Sequence, residues 1–526
     1  MKAHCLTQHY DVARTGWNPD ETKLTVTSVS TPNHFGQLFA QAVEGTVYAQ
    51  PLYVPGLNIP RHGKRNVVYV ATESDMIYAF DADKDAAPLW RQSVVPHGEN
   101  SVYTGDIEGC DNIAPRIGIT GTPVIDMKTK TLYLVAKTKR KRGVSVTFHH
   151  YLCALDIRTG KHRPHSPKEI KAKAPGTAQE NDGHGHVIFT PHWQMNRPGL
   201  LLSHGVIYIA FGSHCDSHQG IYHGWVLAYH AATLKQVAAF NASPNDSGTL
   251  VGAPGSSGIW QGGMGLAADS GGFMYFTTGN GLFDVSTGGP DYGDSVIKLT
   301  PHLKVASYFT PADQSTLLYP GDVDLGSGGV LVLPDQSGSH PKMLVTCGKD
   351  GDIFLLDRAN LGGYSGITTP PPYGTNNVVQ SFPLQPSRPP STQPGVWGGP
   401  AYYDGPTGQF VYYCGDGGPL SAFHLSGGLL STMPASQSSA TYGAGGTTPV
   451  VSSNRKKPGT GVVWAINRTN PLRLQAYDAT DLTNLLYDAD AGPWNNPDGG
   501  AFIEPTVANG KVYVASDGRL TVFGPK

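Results

Sequence analysis

SSGIWQGGMGLAADSGGFMYFTTGNG, residues Ser256 to Gly281, holds two apolar runs of strand length, GMGLAAD and GFMYFTTG, and the polar DSGG between them has the composition of a hairpin turn. Trp260 therefore stands at one end of the hairpin, and Asn280 leaves at that same end. In a closed ring of such hairpins both would lie at the mouth of a central channel, a flat indole beside a carboxamide.

The same unit recurs on either side: a core strand with Pro or Gly, a turn, a strand ending in small residues, then a strand of the type xxAxD. YAQPLYVPG leads to NVVYVATESDMIYAFDAD, GTPVIDMKTKTLYLVAK to HHYLCALDIRTG, and RPGLLLSHGVIYIAFGS to GWVLAYHAATL. About eight units at a spacing of roughly 50 to 75 residues is the range of four-stranded propeller blades with loop insertions. The expected fold is all-β: an eight-bladed β-propeller of four-stranded antiparallel blades, one domain over residues 1–526. The last unit reaches Lys526 after three strands, so FGQLFAQAV, residues 35–43, is expected to supply the fourth and close the ring. Long insertions at 96–117, 170–197, 241–262, 310–328 and 364–398 precede innermost strands and should build one thick rim.

Composition agrees. Among 526 residues there are 66 Gly and 41 Pro, with 10% aromatic and 15% charged residues, which suits short strands and tight turns better than helices. A formal net charge of −2 argues against a nucleic-acid binder, and the basic run KTKRKR (Lys137 to Arg142) reads as a solvated hairpin tip. No apolar run approaches the roughly 20 residues that span a bilayer. The N-terminus lacks a signal-peptide core, so the expectation is a mature secreted or periplasmic chain, with a cytoplasmic one as the other option. N-x-S/T triplets at Asn241, Asn245 and Asn467 lean toward export. The six Cys show neither a CxxC pair nor a CxxCH haem site, and their pairing stays open.

Seven rim segments carry the residues that could do chemistry: GSSGIWQGG with Trp260, FTTGNG with Asn280, FGSHCDSH with Asp216, YPGDVDLGSGG with Asp322 and Asp324, CGKDGDIFLLDRANL with Lys349, CDNIAPRIGITG with Cys110 and Arg116, and GVWGGPAYY with Trp397. Each has a plainer reading: Trp260 as a core indole, Gly-Asn-Gly as a turn, Asp-Val-Asp as a turn cap. His214, His218 and His223 surround Asp216, but their spacing fits no recurrent zinc pattern.

Together with the repeats, these segments resemble the pyrroloquinoline quinone (PQQ) propeller family, the quinoprotein alcohol dehydrogenases, along nearly the whole chain. The resemblance implies that Trp260 stacks under the planar quinone, that Asn280 and Asp216 (Asp where the family has Glu) ligate Ca²⁺, and that Asp322 or Asp324 is the catalytic base. It implies further that Lys349 touches the quinone oxygens, that Arg116 pairs with a cofactor carboxylate, and that Trp397 is a rim indole. Many members have adjacent cysteines forming a disulfide against the upper cofactor face. Here Cys110 follows Gly109, so that adjacent bond is ruled out.

The implied activity is oxidation of an alcohol or sugar hydroxyl, a small-molecule substrate, with electrons leaving to a separate acceptor. The lost cysteine pair and the Glu-to-Asp change keep a second option open: a propeller without the quinone that performs elimination, isomerisation or cyclisation in an aromatic pocket of Tyr48, His184, His186, Trp193, Trp260, Trp397, Tyr442 and Trp494. A non-enzymatic binding or scaffold propeller is the third, since fold alone does not establish activity.

Overall fold

The computed structural model describes residues 4–215, 222–247, 256–314, 322–366, 378–388, 393–496 and 503–526. The chain is an eight-bladed β-propeller of mainly antiparallel blades. The second strands of the blades run Gly63–Ala71, Thr131–Arg142, Val206–Ser213, Met274–Thr277, Met343–Cys347, Gly408–Tyr413, Val462–Asn467 and Lys511–Ser516. Runs such as VVYVA (67–71) and IYIAF (207–211) are buried throughout, because each blade is covered on both faces by its neighbours. The ring closes as expected: Phe35–Ala42 pairs antiparallel with Arg519–Pro525, from Phe35 opposite Pro525 to Ala42 opposite Arg519.

The interior of the ring holds what the strand pattern does not announce. The segment from Cys5 to Asn18 makes one turn inside it and touches the innermost strand region of every blade in order. Cys5 exchanges backbone bonds with Tyr53, and the Leu6 carbonyl accepts from Ile125 N at 2.8 Å. Thr7 Oγ1 and Arg14 Nη2 reach Leu200 O; the carbonyls of Val12, Ala13, Thr15 and Gly16 accept from Ala268, Val332, Tyr402 and Val451; Asn18 Nδ2 donates to Val507 O at 2.8 Å. Inner-strand N–H and C=O groups that would face an empty channel are thereby paired. Arg14 is fully buried at the hub, donating to Leu266 O, Thr7 Oγ1 and Gln8 O as well. Tyr48, Gln50, Thr120, Thr122, Arg197, Gly263 and Glu504 line a small polar cavity of about 10 Å³.

Two kinds of connection meet on one face. The loops between second and third strands bond to the segments that lead into the first strands: Glu73 N to Thr46 O, His214 N to Trp193 O, Gly279 N to Gly258 O, and Lys349 N to Asp324 O. This pairing stacks the two sets of loops into one rim, where the chemistry-bearing residues lie. KTKRKR belongs to a twelve-residue hairpin, Thr131–Arg142 with Ser145–Asp156, and the solvated reading fails for Lys137. Its side chain is buried, with Nζ donating to His192 O and Gln194 O and meeting His214 Nε2 at 2.8 Å. Burial pushes its ammonium down, while these three acceptors match the three protons of the charged form.

Candidate functional site

The Ser256–Gly281 hairpin forms with shorter strands than its apolar runs suggest, Ala267–Ala268 against Met274–Thr277. Asp269 organises the turn by accepting from Gly271 N and Phe273 N. At the other end Ser257 N bonds to Asn280 O at 2.9 Å, which puts the Trp260 and Asn280 arms side by side.

Trp260 rests on glycine. A β-carbon on Gly212 would stand 2.7 Å from its Nε1, one on Gly258 2.4 Å from Cη2, and one on Gly279 2.4 Å from Cζ3. One strand, at Gly212, and two loop segments, at Gly258 and Gly279, thus give up side chains to make a flat bed. The ring is locked by Nε1 donating to Ser213 O at 3.0 Å and by the edge of Tyr222 at 5.8 Å.

Beside this bed stands a polar cluster. Asn280 Nδ2 donates to Asp322 Oδ1 at 3.3 Å, which leaves the carboxamide oxygen to face elsewhere. Lys349 Nζ meets Asp322 Oδ1 at 3.1 Å and Asp324 Oδ1 at 2.5 Å, and lies 6.0 Å from the Trp397 ring. Asp322 is 64% exposed at its side chain and Asp324 4%. Behind them Asp294, fully buried, accepts from Leu325 N and Gln314 Nε2. Burial raises Asp324, against the pull of Lys349; burial and the charge of Asp324 hold Asp294 well above the usual carboxylate range. Burial works against the Lys349 ammonium too, but Asp324 and Asp322 outweigh it and raise its pKa. Two carboxylates, Asp322 and Asp324, thus share one ammonium, a deficit of positive charge.

Backbone strain gathers in the same loops. Cys215, Ser257, Gln261, Asp294 and Asp322 all have positive φ, a conformation costing a non-glycine residue of order 1–3 kcal/mol and kept only where the surroundings enforce it.

The structure therefore brings together Trp260, Asn280, Asp322, Asp324, Lys349 and Trp397. Asp216 lies outside the described residues, as does His218. Arg116 is not part of the cluster: it donates at 2.8 Å to Glu44 Oε1 and to Ser74 Oγ, and sits over the Tyr103 ring. Cys110 bonds to Cys215, a pairing the sequence left open, with Cα atoms 5.8 Å apart. The bond ties the segment before blade two to the loop that carries Ser213, the acceptor of the Trp260 N–H. His214 turns to Lys137, and His223 to Glu180 Oε2 and Ser243 Oγ, so these two share no metal. The eight-residue aromatic pocket does not assemble: Trp494 is buried edge-on to Tyr48, while His184 and His186 belong to a small separate hairpin, where His186 pairs with Asp182.

Sequence reading missed Asp294, which in DYGDSVIKL resembles a strand cap, and Glu73, which in ATESD resembles a turn residue. Glu73 is fully buried, accepts from Gly118 N and Thr120 Oγ1, and is pushed up to about 7 by burial. Arg197, buried at the channel cavity, was missed because Asn-Arg-Pro reads as a loop.

Fold and rim define an eight-bladed propeller with a candidate site at one mouth of its ring. Among solved structures it is similar to a europium-containing methanol dehydrogenase, at 13% identity and a TM-score of 0.63, over 99% of this chain and 98% of that one. Lower likeness is found to the computationally designed Ika8 protein (10% identity, TM-score 0.44, 94% of this chain and 99% of that one) and to Saccharomyces cerevisiae Sqt1 (9%, 0.47, 94% and 99%). No protein-family model and no curated protein sequence matches the chain.

Proposed function

We propose that this propeller is a quinoprotein-type dehydrogenase that oxidises an alcohol or sugar hydroxyl at the rim. The observation that carries the reading is the glycine bed under Trp260 standing next to the Asn280–Asp322–Lys349–Asp324 cluster. A planar aromatic cofactor needs a water-excluding flat surface, and three absent side chains create one here. The cluster fits a hard cation by donor type, since Asn280, Asp322 and Asp324 offer oxygens and a charge deficit. Among the described residues, however, no three Asp, Glu, His or Cys side chains converge on one point.

When bound, PQQ supplies the two-electron oxidant. Trp260 would hold it flat, and the Asn280 and Asp324 oxygens would hold the cation, Ca²⁺ or a lanthanide of the kind in the europium-containing neighbour. Asp322, the more exposed aspartate, takes the hydroxyl proton, and Lys349 balances negative charge that builds beside it. The Cys110–Cys215 bond supports an oxidising compartment, secreted or periplasmic.

The test is dye-linked oxidation of a panel of primary alcohols and aldoses by protein reconstituted with quinone and metal. Asp322→Asn should lower kcat by about 10²–10⁴ while quinone still binds. Turnover that is undiminished without quinone would refute the reading.

A further inference from the structure

Charge is distributed unevenly around the ring. Between residues 128 and 173, in the second blade, thirteen Lys or Arg stand against two carboxylates, Asp156 and Glu169. This is an excess of eleven positive charges, and the rest of a chain whose net charge is −2 carries thirteen negative ones. Lys137 is buried. Arg158 and Arg163 share Asp156, Lys171 takes Glu169, and Lys139 and Arg140 take Asp106 and Glu99 from the preceding connection. The other seven are exposed and form no ion pair among the described residues.

Their order follows from the strand register. Lys128 and Lys130 lie on the turn before Thr131, and Lys161 on the turn after Asp156; Thr131 pairs with Asp156, and Arg163 Nη2 bonds to Thr129 O and Lys130 O, so these turns share one end of the blade. Lys168 pairs with Leu152 part-way up the outer edge, and Lys173 follows. Lys141 and Arg142 stand at the far end, where Arg142 pairs with Ser145. Twelve paired residues span about 40 Å, with three free cations on the turns at one end, two at the hairpin tip, and Lys168 on the outermost strand between them.

We propose that the exposed cations of the second blade, from the turns at one end to the hairpin tip at the other, form a binding track for a linear acidic polysaccharide. The cations are spread over three separate turns and an edge strand, where a globular partner needs a compact patch with an apolar centre. A stiff, evenly charged polymer also loses less conformational entropy on such a track than a disordered acidic peptide. Exposed base-stacking platforms are few among the described residues: Val144, Val146 and Ile188 are aliphatic, the Phe148–His192 stack is half-buried, and the Tyr103 ring already faces Arg116 and Lys139. The outer wall of a propeller is convex and would meet a flat bilayer only along a line.

The test is binding of polygalacturonate oligomers to the whole protein by calorimetry, at low salt and at about 0.15 M, with the methyl-esterified polymer as neutral control. Three exposed sets are reversed: Lys128→Glu with Lys130→Glu and Lys161→Glu; Lys168→Glu with Lys173→Glu; Lys141→Glu with Arg142→Glu. Saturable binding is expected that weakens with salt, is absent for the ester, and falls about tenfold in each set with thermal unfolding unchanged. Absence of polygalacturonate binding, equal binding by the reversed variants, dependence on one set alone, or binding confined to phosphatidylglycerol vesicles or single-stranded DNA would each overturn the track. Failure of the dehydrogenase reading shows in quinone binding and leaves this measurement untouched.

Discussion

A β-carbon on Gly279 would lie 2.4 Å from the Trp260 ring, and Gly279 has no positive φ, so alanine there meets the indole and nothing else forbids it. Gly279→Ala should therefore tilt or displace Trp260, costing about 1–3 kcal/mol of stability as other overpacked sites do. Quinone affinity should fall at least about tenfold, read by fluorescence titration. Glu73 makes a second prediction at this scale. Its folded pKa of about 7 exceeds the ordinary 4.5, so the protonated form is favoured; the associated stability is full below 4.5 and lost as pH rises through about 7. Glu73→Gln keeps an acceptor for Gly118 N and Thr120 and cannot ionise. Relative to the native protein, it should be equally stable near pH 4.5 and more stable at pH 8, by up to about 3 kcal/mol. Parallel curves of thermal midpoint against pH would contradict this.

At the level of elements, the Cys110–Cys215 bond closes a span of 105 residues and fixes the loop to which Trp260 is bonded. Chain-entropy reasoning gives such a closure roughly 5 kcal/mol, so Cys110→Ser should lower the thermal midpoint and loosen Trp260, seen as a shift in tryptophan emission. The blades themselves were legible because a buried strand and its turn are local patterns: VVYVATESDMIYAF shows its hairpin within one stretch. Trp260, Asn280, Asp322, Asp324 and Lys349 were legible as a group because each sits beside a strand start or end that the repeat locates. The partners of Arg116, Glu44 and Ser74 of blade one, were not legible because an insertion's path is not periodic. Lys137 was misread because a basic run looks solvated until the neighbouring blade supplies three acceptors.

For the whole molecule, the turn of chain inside the ring is the feature that sequence concealed most fully. CLTQHYDVARTG reads as a polar loop, since its partners are the inner strands of eight blades spread over some five hundred residues. Arg14 is the point where this turn is tied to blades three and four, through Leu200 O and Leu266 O. Arg14→Met strips buried carbonyls of their donor and is expected to cost about 3–5 kcal/mol, seen as a lower thermal midpoint although no rim residue changes. The central claim, that the rim is a quinone site, is tested most directly by titrating metal-free protein with pyrroloquinoline quinone, with and without Ca²⁺ or a lanthanide, and following tryptophan quenching. Saturable, metal-dependent quenching that is lost in Trp260→Ala is expected; no binding at high micromolar quinone with either metal would contradict a quinone site at the rim.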